Sequence, residues 1–152
     1  MTEKFTLGAG CFWGVEDSFR NLKGVVETAV GYSGGTTSNP RYSEVCTGNT
    51  GHAETVEVLF DPKVVSYEEL LEKFWEIHDP RATHRSDHDS SYQYRSVIFF
   101  HTPDQERLAI RSRARQPTRQ WTSVVPAVPF YRAEAHHQQY VAKRKARYEK
   151  AS

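Results

Sequence analysis

The sequence predicts an α+β fold: a single-domain, two-layer α/β sandwich in which helices pack on one mixed sheet. Two observations carry this. The chain has 152 residues, 38% hydrophobic and 26% charged, the profile of one ordinary globular domain spanning 1–152. Along it, short apolar or alternating runs of strand length give way repeatedly to runs with apolar residues three and four apart. No internal repeat or low-complexity stretch interrupts that order.

Phe5 to Leu7 opens as a strand, and Gly8-Ala9-Gly10 allows a tight turn. From Cys11 the spacing of Phe12, Val15, Phe19 and Leu22 is helical, with Gly24 suited to the helix end. Val25 to Val30 reads as a strand, and the glycine-rich, polar run from Gly31 to Pro40 as a loop. Thr55 to Phe60 alternates as a half-buried strand does. Ser66 and Glu69 form a capping box ahead of the apolar face Tyr67, Leu70, Leu71, Phe74 and Ile77. Residues 81–93 are polar and aperiodic, a long loop of the kind that often carries function. Ser96 to His101 is a buried strand. Thr102-Pro103 with Gln105 starts a helix reaching about Gln116. Val124 to Val128 is a strand that Pro126 places near an edge, and Ala133 to Lys150 is a last, basic helix.

Several function classes recede on composition. No apolar run approaches the roughly 18 residues that span a bilayer. The N-terminal Met1-Thr2-Glu3-Lys4-Phe5 lacks a basic segment followed by an apolar one, so a cytoplasmic location is expected, with no membrane partner. Net charge is +1 but uneven: residues 101–152 hold eleven Lys and Arg against four Asp and Glu. That asymmetry reads as a solvated helical face; without a recognition motif, no nucleic-acid partner is expected. A monomer is the simplest expectation for the modest hydrophobic content. Two cysteines, Cys11 and Cys46, make no disulfide framework, so the question is whether either is reactive.

Cys11 sits where a strand hands over to a helix N-terminus. A free thiol has a pKa of ~8.5 and is mostly protonated at neutral pH. Unpaired amides and the helix dipole favour its anion, with Glu16 and Asp17 on the next turns working mildly against it. A small buried core residue is the competing reading. Phe12 and Trp13 follow at once. Adjacent aromatics at a helix start cannot both face the core, so one is free to line a pocket and meet sulfur or an S-methyl group.

Gly10-Cys11-Phe12-Trp13-Gly14 resembles the signature pentapeptide of the peptide methionine sulfoxide reductase A family. Further segments agree, in order: Gly31-Tyr32-Ser33-Gly34-Gly35; Asn39-Pro40-Arg41-Tyr42-Ser43-Glu44-Val45-Cys46; Gly51-His52-Ala53-Glu54; Phe60-Asp61-Pro62; His78-Asp79-Pro80; Gln93-Tyr94-Arg95-Ser96; and Ala133-Glu134 with His137-Gln138 and Tyr140. The resemblance runs from about Phe5 to Tyr140 and implies the family's sandwich, a ferredoxin-like derivative. It implies that Cys11 attacks a methionine S-sulfoxide, protein-bound or free, leaving methionine and a sulfenic acid on Cys11. Hydroxide is a poor leaving group, so an acid is needed. Glu54 matches that acid, and must be kept protonated by burial. Tyr42 and Tyr94 match the hydroxyls that bind the sulfoxide oxygen, and Asp89 an aspartate near the site. Phe12 and Trp13 would hold the S-methyl group, with Gly10 and His52 as further substrate contacts. No bound cofactor and no metal are implied.

The chain departs from the family in two places. It has no cysteine after Cys46, so the usual tail relay is missing. Cys46 is expected to be buried and structural, with a resolving role the alternative. An external thiol (thioredoxin, glutaredoxin or a small thiol) would then return Cys11 to the thiol. Residues 84–92 lack the family's glycines, and His84, Asp87, His88 and Asp89 resemble metal ligands without a fixed geometry behind them. Two other classes stay open. One is a Cys–His hydrolase using His52 or His137. The other is a non-enzymatic module binding a metal through residues 84–89 or an anion through the basic C-terminal third.

Overall fold

The computed structural model describes residues 1–84 and 92–151. Its single sheet has strands β1 (Glu3–Ala9), β2 (Val25–Ser33), β3 (Ala53–Phe60), β4 (Ser96–Phe100), β5 (Ser123–Pro126) and β6 (Phe130–Arg132) in the spatial order β5-β4-β1-β3-β2-β6. Among the described strands the β4–β5 pair is parallel and the others antiparallel, so the sheet is mixed, and Pro126 lies on an edge strand where a missing amide costs no ladder bond. The helices are α1 (Phe12–Arg20), α2 (Tyr42–Val45), α3 (Tyr67–Glu76), α4 (Pro103–Ala114) and α5 (Tyr140–Ala151).

Alternation sorts the strand residues onto two faces. Phe5, Leu7, Val30, Val56, Val58 and Ile98 meet Phe12, Val15 and Phe19 of α1 and Leu70, Leu71 and Phe74 of α3. Phe5 lies at the centre, edge-on to Phe19 at 5.7 Å, Tyr67 at 5.3 Å and Phe74 at 6.4 Å. Burying each such ring contributes about 1.5–3 kcal/mol. A smaller cluster of Ala53, Val97 and Phe99 lies on the other face. The helix starts follow their sequence signals. Ser66 Oγ accepts from Glu69 N at 3.0 Å, and Thr102 Oγ1 accepts from Gln105 N at 3.1 Å.

Three differences from the sequence reading matter for the site. β2 continues to Ser33, because Gly31 lets β6 close on it: a Cβ there would fall 2.4 Å from the Tyr131 carbonyl oxygen. α2 and β6 are too short to produce a periodic signal. The last helix begins at Tyr140, not Ala133; Ala135–His137 is a 3-10 turn, and Gln139 takes a left-handed φ of +52° that breaks the helix. The cause is side-chain bonding that outcompetes helix formation. Gln138 accepts from Val30 N at 2.9 Å and donates to Val30 O at 2.8 Å, acting as one more rung beside β2. Gln139 N donates to the buried Glu16 carboxylate at 2.7 Å.

Candidate active site

β1 ends in a turn at Gly10 whose φ of +103° only glycine adopts without strain, and this delivers Cys11 to the N-cap of α1. Gly10, expected as a substrate contact, therefore acts through this backbone turn. Cys11 is exposed as a residue, but its sulfur is partly buried against the free amides of Trp13 and Gly14. Burial nevertheless outweighs the Trp13 amide. With the Glu54 carboxylate adding to it, the thiol is pushed above its ordinary value despite the Gly14 amide. The lowered pKa expected from the helix terminus alone is thus overturned for the substrate-free protein. Glu16, expected to oppose the thiolate, is turned into the body, where Thr28 Oγ1 donates to it at 2.8 Å.

Glu54 projects from the helix-facing side of β3, opposite Tyr32 of β2 in register, and is 1% exposed. Its Oε1 accepts from Phe12 N at 3.0 Å, and its Oε2 has no partner among the described residues. Burial pushes its pKa up to about 7, because one amide bond does not replace the lost water. A carboxyl beside Cys11 therefore still carries its proton at neutral pH in a substantial fraction of molecules.

An aromatic wall stands over this pair. Phe12 is buried with its ring 6.4 Å from Tyr42 and 5.8 Å from Tyr32. Trp13 is half-buried and stacks on Tyr140 at 3.9 Å, and its Nε1 donates to His137 Nδ1 at 2.9 Å. That bond leaves the His137 proton on Nε2, and burial reinforced by His136 holds the ring below its ordinary pKa, so it is neutral. The Tyr42 hydroxyl lies next to the Tyr94 hydroxyl and the Cys46 thiol. Burial drives both tyrosines upward, Tyr94 to about 12, so both stay protonated donors. Glu134 ties the wall to the sheet: it accepts from Tyr32 Oη at 3.0 Å and from Tyr42 N at 3.1 Å. Although burial works against it, its own amide, the Tyr42 amide and the Tyr32 hydroxyl hold its carboxyl below the usual range.

Cys11, Glu54, Tyr42, Tyr94, Phe12 and Trp13 are thus gathered at one place. Asp89 lies outside the described residues, as do Asp87 and His88, and of His84 only the backbone is described. His52 is a correction. Its Nδ1 accepts from Gly35 N at 3.0 Å, its Nε2 donates to Thr37 O at 2.6 Å, and it is 2% exposed. With both nitrogens used, it braces the loop after β2 and offers no polar atom to a substrate. Cys46 is not the core residue expected either: it caps α2 half-buried, its thiol against Tyr42. Tyr32, Glu134 and Tyr140 received no role from the sequence, and His137 only that of a hydrolase base. Their motifs were visible, but only the fold shows that they converge on Phe12, Trp13 and Tyr42.

Fold and site set a cysteine at a helix N-terminus beside a buried carboxyl raised to about 7. A Cys–His hydrolase finds no support here, since His52 serves a loop and His137 Nδ1 serves Trp13. The family model for peptide methionine sulfoxide reductase matches residues 3–152. The chain is 56% identical to the peptide methionine sulfoxide reductase MsrA of Methanothermobacter thermautotrophicus, covering 93% of this chain and 87% of that one. Among solved structures it resembles reduced Mxr1 from Saccharomyces cerevisiae, with a TM-score of 0.84, 34% identity and coverage of 95% and 86%. Mxr1 in complex with Trx2 matches with a TM-score of 0.63, 27% identity and coverage of 91% and 84%. The chain belongs to the peptide methionine sulfoxide reductase family.

Proposed function

We propose that the protein reduces methionine S-sulfoxide, free or within proteins, to methionine with thiols as the electron source. The carrying observation is Glu54, a buried carboxyl held near neutrality against the first amide of the helix that presents Cys11. The Cys11 sulfur attacks the sulfoxide sulfur while Glu54 delivers its proton to the sulfoxide oxygen. The protonated oxygen then passes to the Cys11 sulfur as the substrate's S–O bond and the new S–S bond break, methionine leaves with the electron pair, and Cys11 is left as a sulfenic acid. The Tyr42 and Tyr94 hydroxyls donate to the oxygen as its charge grows. Phe12 and Trp13 take the S-methyl group, and a cage with the acid on one side and rings on the other distinguishes the S epimer.

Two thiols complete the cycle. One attacks the sulfenic sulfur and releases water, and the second displaces Cys11 from the mixed disulfide. The yeast relative seen with Trx2 supports a thioredoxin-like donor. Cys11 is exposed, so such a donor can attack it directly from outside. A reducing cytoplasm suits two free thiols, and there the enzyme would repair oxidised proteins. The test is methionine formed from methionine S-sulfoxide and dithiothreitol. Turnover by the wild type and none by Cys11→Ser is expected. No wild-type turnover, or unchanged turnover in the variant, sinks the proposal.

A further inference from the structure

Charge is distributed very unevenly between α5 and the rest of the chain. α5 holds Lys143, Arg144, Lys145, Arg147 and Lys150 against the single carboxylate of Glu149. Everything else has fifteen Lys and Arg against eighteen Asp and Glu, a net charge of −3. Like charges three and four residues apart weaken a helix, so local stability does not explain the composition. Residues from Lys143 to Lys150 are all exposed, and the helix touches the body mainly through its first turn, against α1.

The place of this helix is what gives its charge a use. Its first residue, Tyr140, stacks on Trp13 and so forms the outer edge of the substrate cleft. Tyr140, Lys143, Arg147 and Lys150 follow at spacings of three and four, which puts them on one face. With His136 they line an open concavity of about 540 Å³ that begins at that edge. A second concavity of about 320 Å³, between Tyr140, Arg144, Arg147 and Tyr148, flanks the same helix. A chain leaving a methionine seated against Trp13 would pass these cations first.

We infer that the α5 face is a substrate-docking surface that selects methionine sulfoxide flanked by acidic residues in a polypeptide. This rests on the proposed sulfoxide reduction and adds its preferred protein substrate. The occupant is fixed by two features. The charge complements carboxylates, and continuity with Trp13 demands a ligand covalently continuous with the methionine side chain, which neither a nucleic acid nor a lipid surface supplies. Exposed cations at the rim of a site act on encounter and on KM, and their effect is screened by salt.

The experiment compares three substrates with the full chain: free methionine S-sulfoxide, a blocked peptide with glutamates on both sides of the sulfoxide, and its lysine counterpart. At low ionic strength the glutamate peptide should exceed the lysine peptide by about tenfold or more in kcat/KM. The gap should lie in KM and shrink near about 0.15 M salt. K143E/R147E/K150E should invert the order. K143Q/R147Q/K150Q should bring the two peptides together, with free sulfoxide turned over within about twofold of wild type in both variants. Equal use of the peptides by a wild type that turns over free sulfoxide overturns the inference alone. So does a preference that survives charge reversal, or competition by a DNA oligomer or anionic vesicle where free glutamate peptide does not compete. Failure on free sulfoxide removes the underlying activity as well.

Discussion

Glu54 on the sheet wall and Glu134 on the C-terminal wall belong to one aromatic cluster, yet their protons behave in opposite ways. Among the described residues Glu54 has one donor for two oxygens, the Phe12 amide on Oε1, and its Oε2 has none. Glu134 has a donor on each oxygen, the Tyr32 hydroxyl and the Tyr42 amide. Burial raises Glu54 to about 7, whereas its donors hold Glu134 below the ordinary range. Glu134 is also half-exposed where Glu54 is buried, so solvent and donors together keep it ionised. What decides is whether the carboxylate keeps its water or finds replacements for it. The two walls divide the labour accordingly: one stores a proton and the other is a fixed anion that places Tyr42.

The sharpest way to break this contrast is Glu54→Gln, which keeps the shape and removes the proton. kcat should fall by about 10²–10⁴-fold. The wild-type rate should decline as pH rises through about 7, where Glu54 loses its proton. In the variant that decline should vanish. A rate within a few-fold of wild type that still falls above neutrality would assign the acid elsewhere.

The same shift reappears in stability. The carboxyl rises from 4.5 in the unfolded chain to about 7 in the fold, so between those values the native state binds more proton than the unfolded one. Stability must then fall as pH rises across that window, by about 3 kcal/mol in full. Urea unfolding at a series of pH values should show this decline for the wild type and lack it for Glu54→Gln. Parallel curves for the two proteins would mean that Glu54 ionises in the fold as freely as in water.

Glu134→Gln tests the other wall and should do less. The amide can still accept at one oxygen, but its NH₂ then faces the Tyr42 amide or the Tyr32 hydroxyl, donor against donor. A hydrogen bond to a charged group contributes about 1.5–3 kcal/mol, and part of that loss reaches the reaction as a looser Tyr42. The expected result is about a tenfold fall in kcat with KM little changed, and restoration of the wild-type pH profile shape. A change confined to KM would mean that Glu134 serves binding and not the placing of Tyr42.

The two walls also differ in how far the sequence reveals them. Cys11, Glu54 and Phe12 sit on regular elements, where strand alternation and helix spacing decide direction, and a resemblance of motifs carries over to geometry. The C-terminal wall is irregular. Residues 133–139 have a helical pattern, but the Val30 backbone holds the Gln138 side chain and the Glu16 carboxylate takes the Gln139 amide. Those partners lie more than a hundred residues away in sequence, so no local rule detects them. His52 failed for a related reason: its neighbours in sequence do not show that Gly35 and Thr37 fold back onto both ring nitrogens. The thiol pKa was misjudged because the helix terminus is local, whereas the burial and the Glu54 charge that oppose it are not.

The mildest test falls on Cys46, which meets the Tyr42 side chain while Glu134 meets its backbone. Cys46→Ser retains a hydroxyl able to bond Tyr42, and the Tyr94 hydroxyl lies next to it as well. If Tyr42 is placed chiefly by Glu134, turnover with dithiothreitol should stay within about twofold of wild type. If Cys46 instead captures the Cys11 sulfenic acid as an internal disulfide, reduction by a protein dithiol should slow markedly in the variant. The sulfenic acid should then accumulate and become trappable by dimedone after one equivalent of substrate. Cys46 is half-buried with its thiol already engaged by Tyr42. The expected outcome is equal dimedone labelling of Cys11 in wild type and Cys46→Ser, which leaves the rescue of Cys11 to an external thiol.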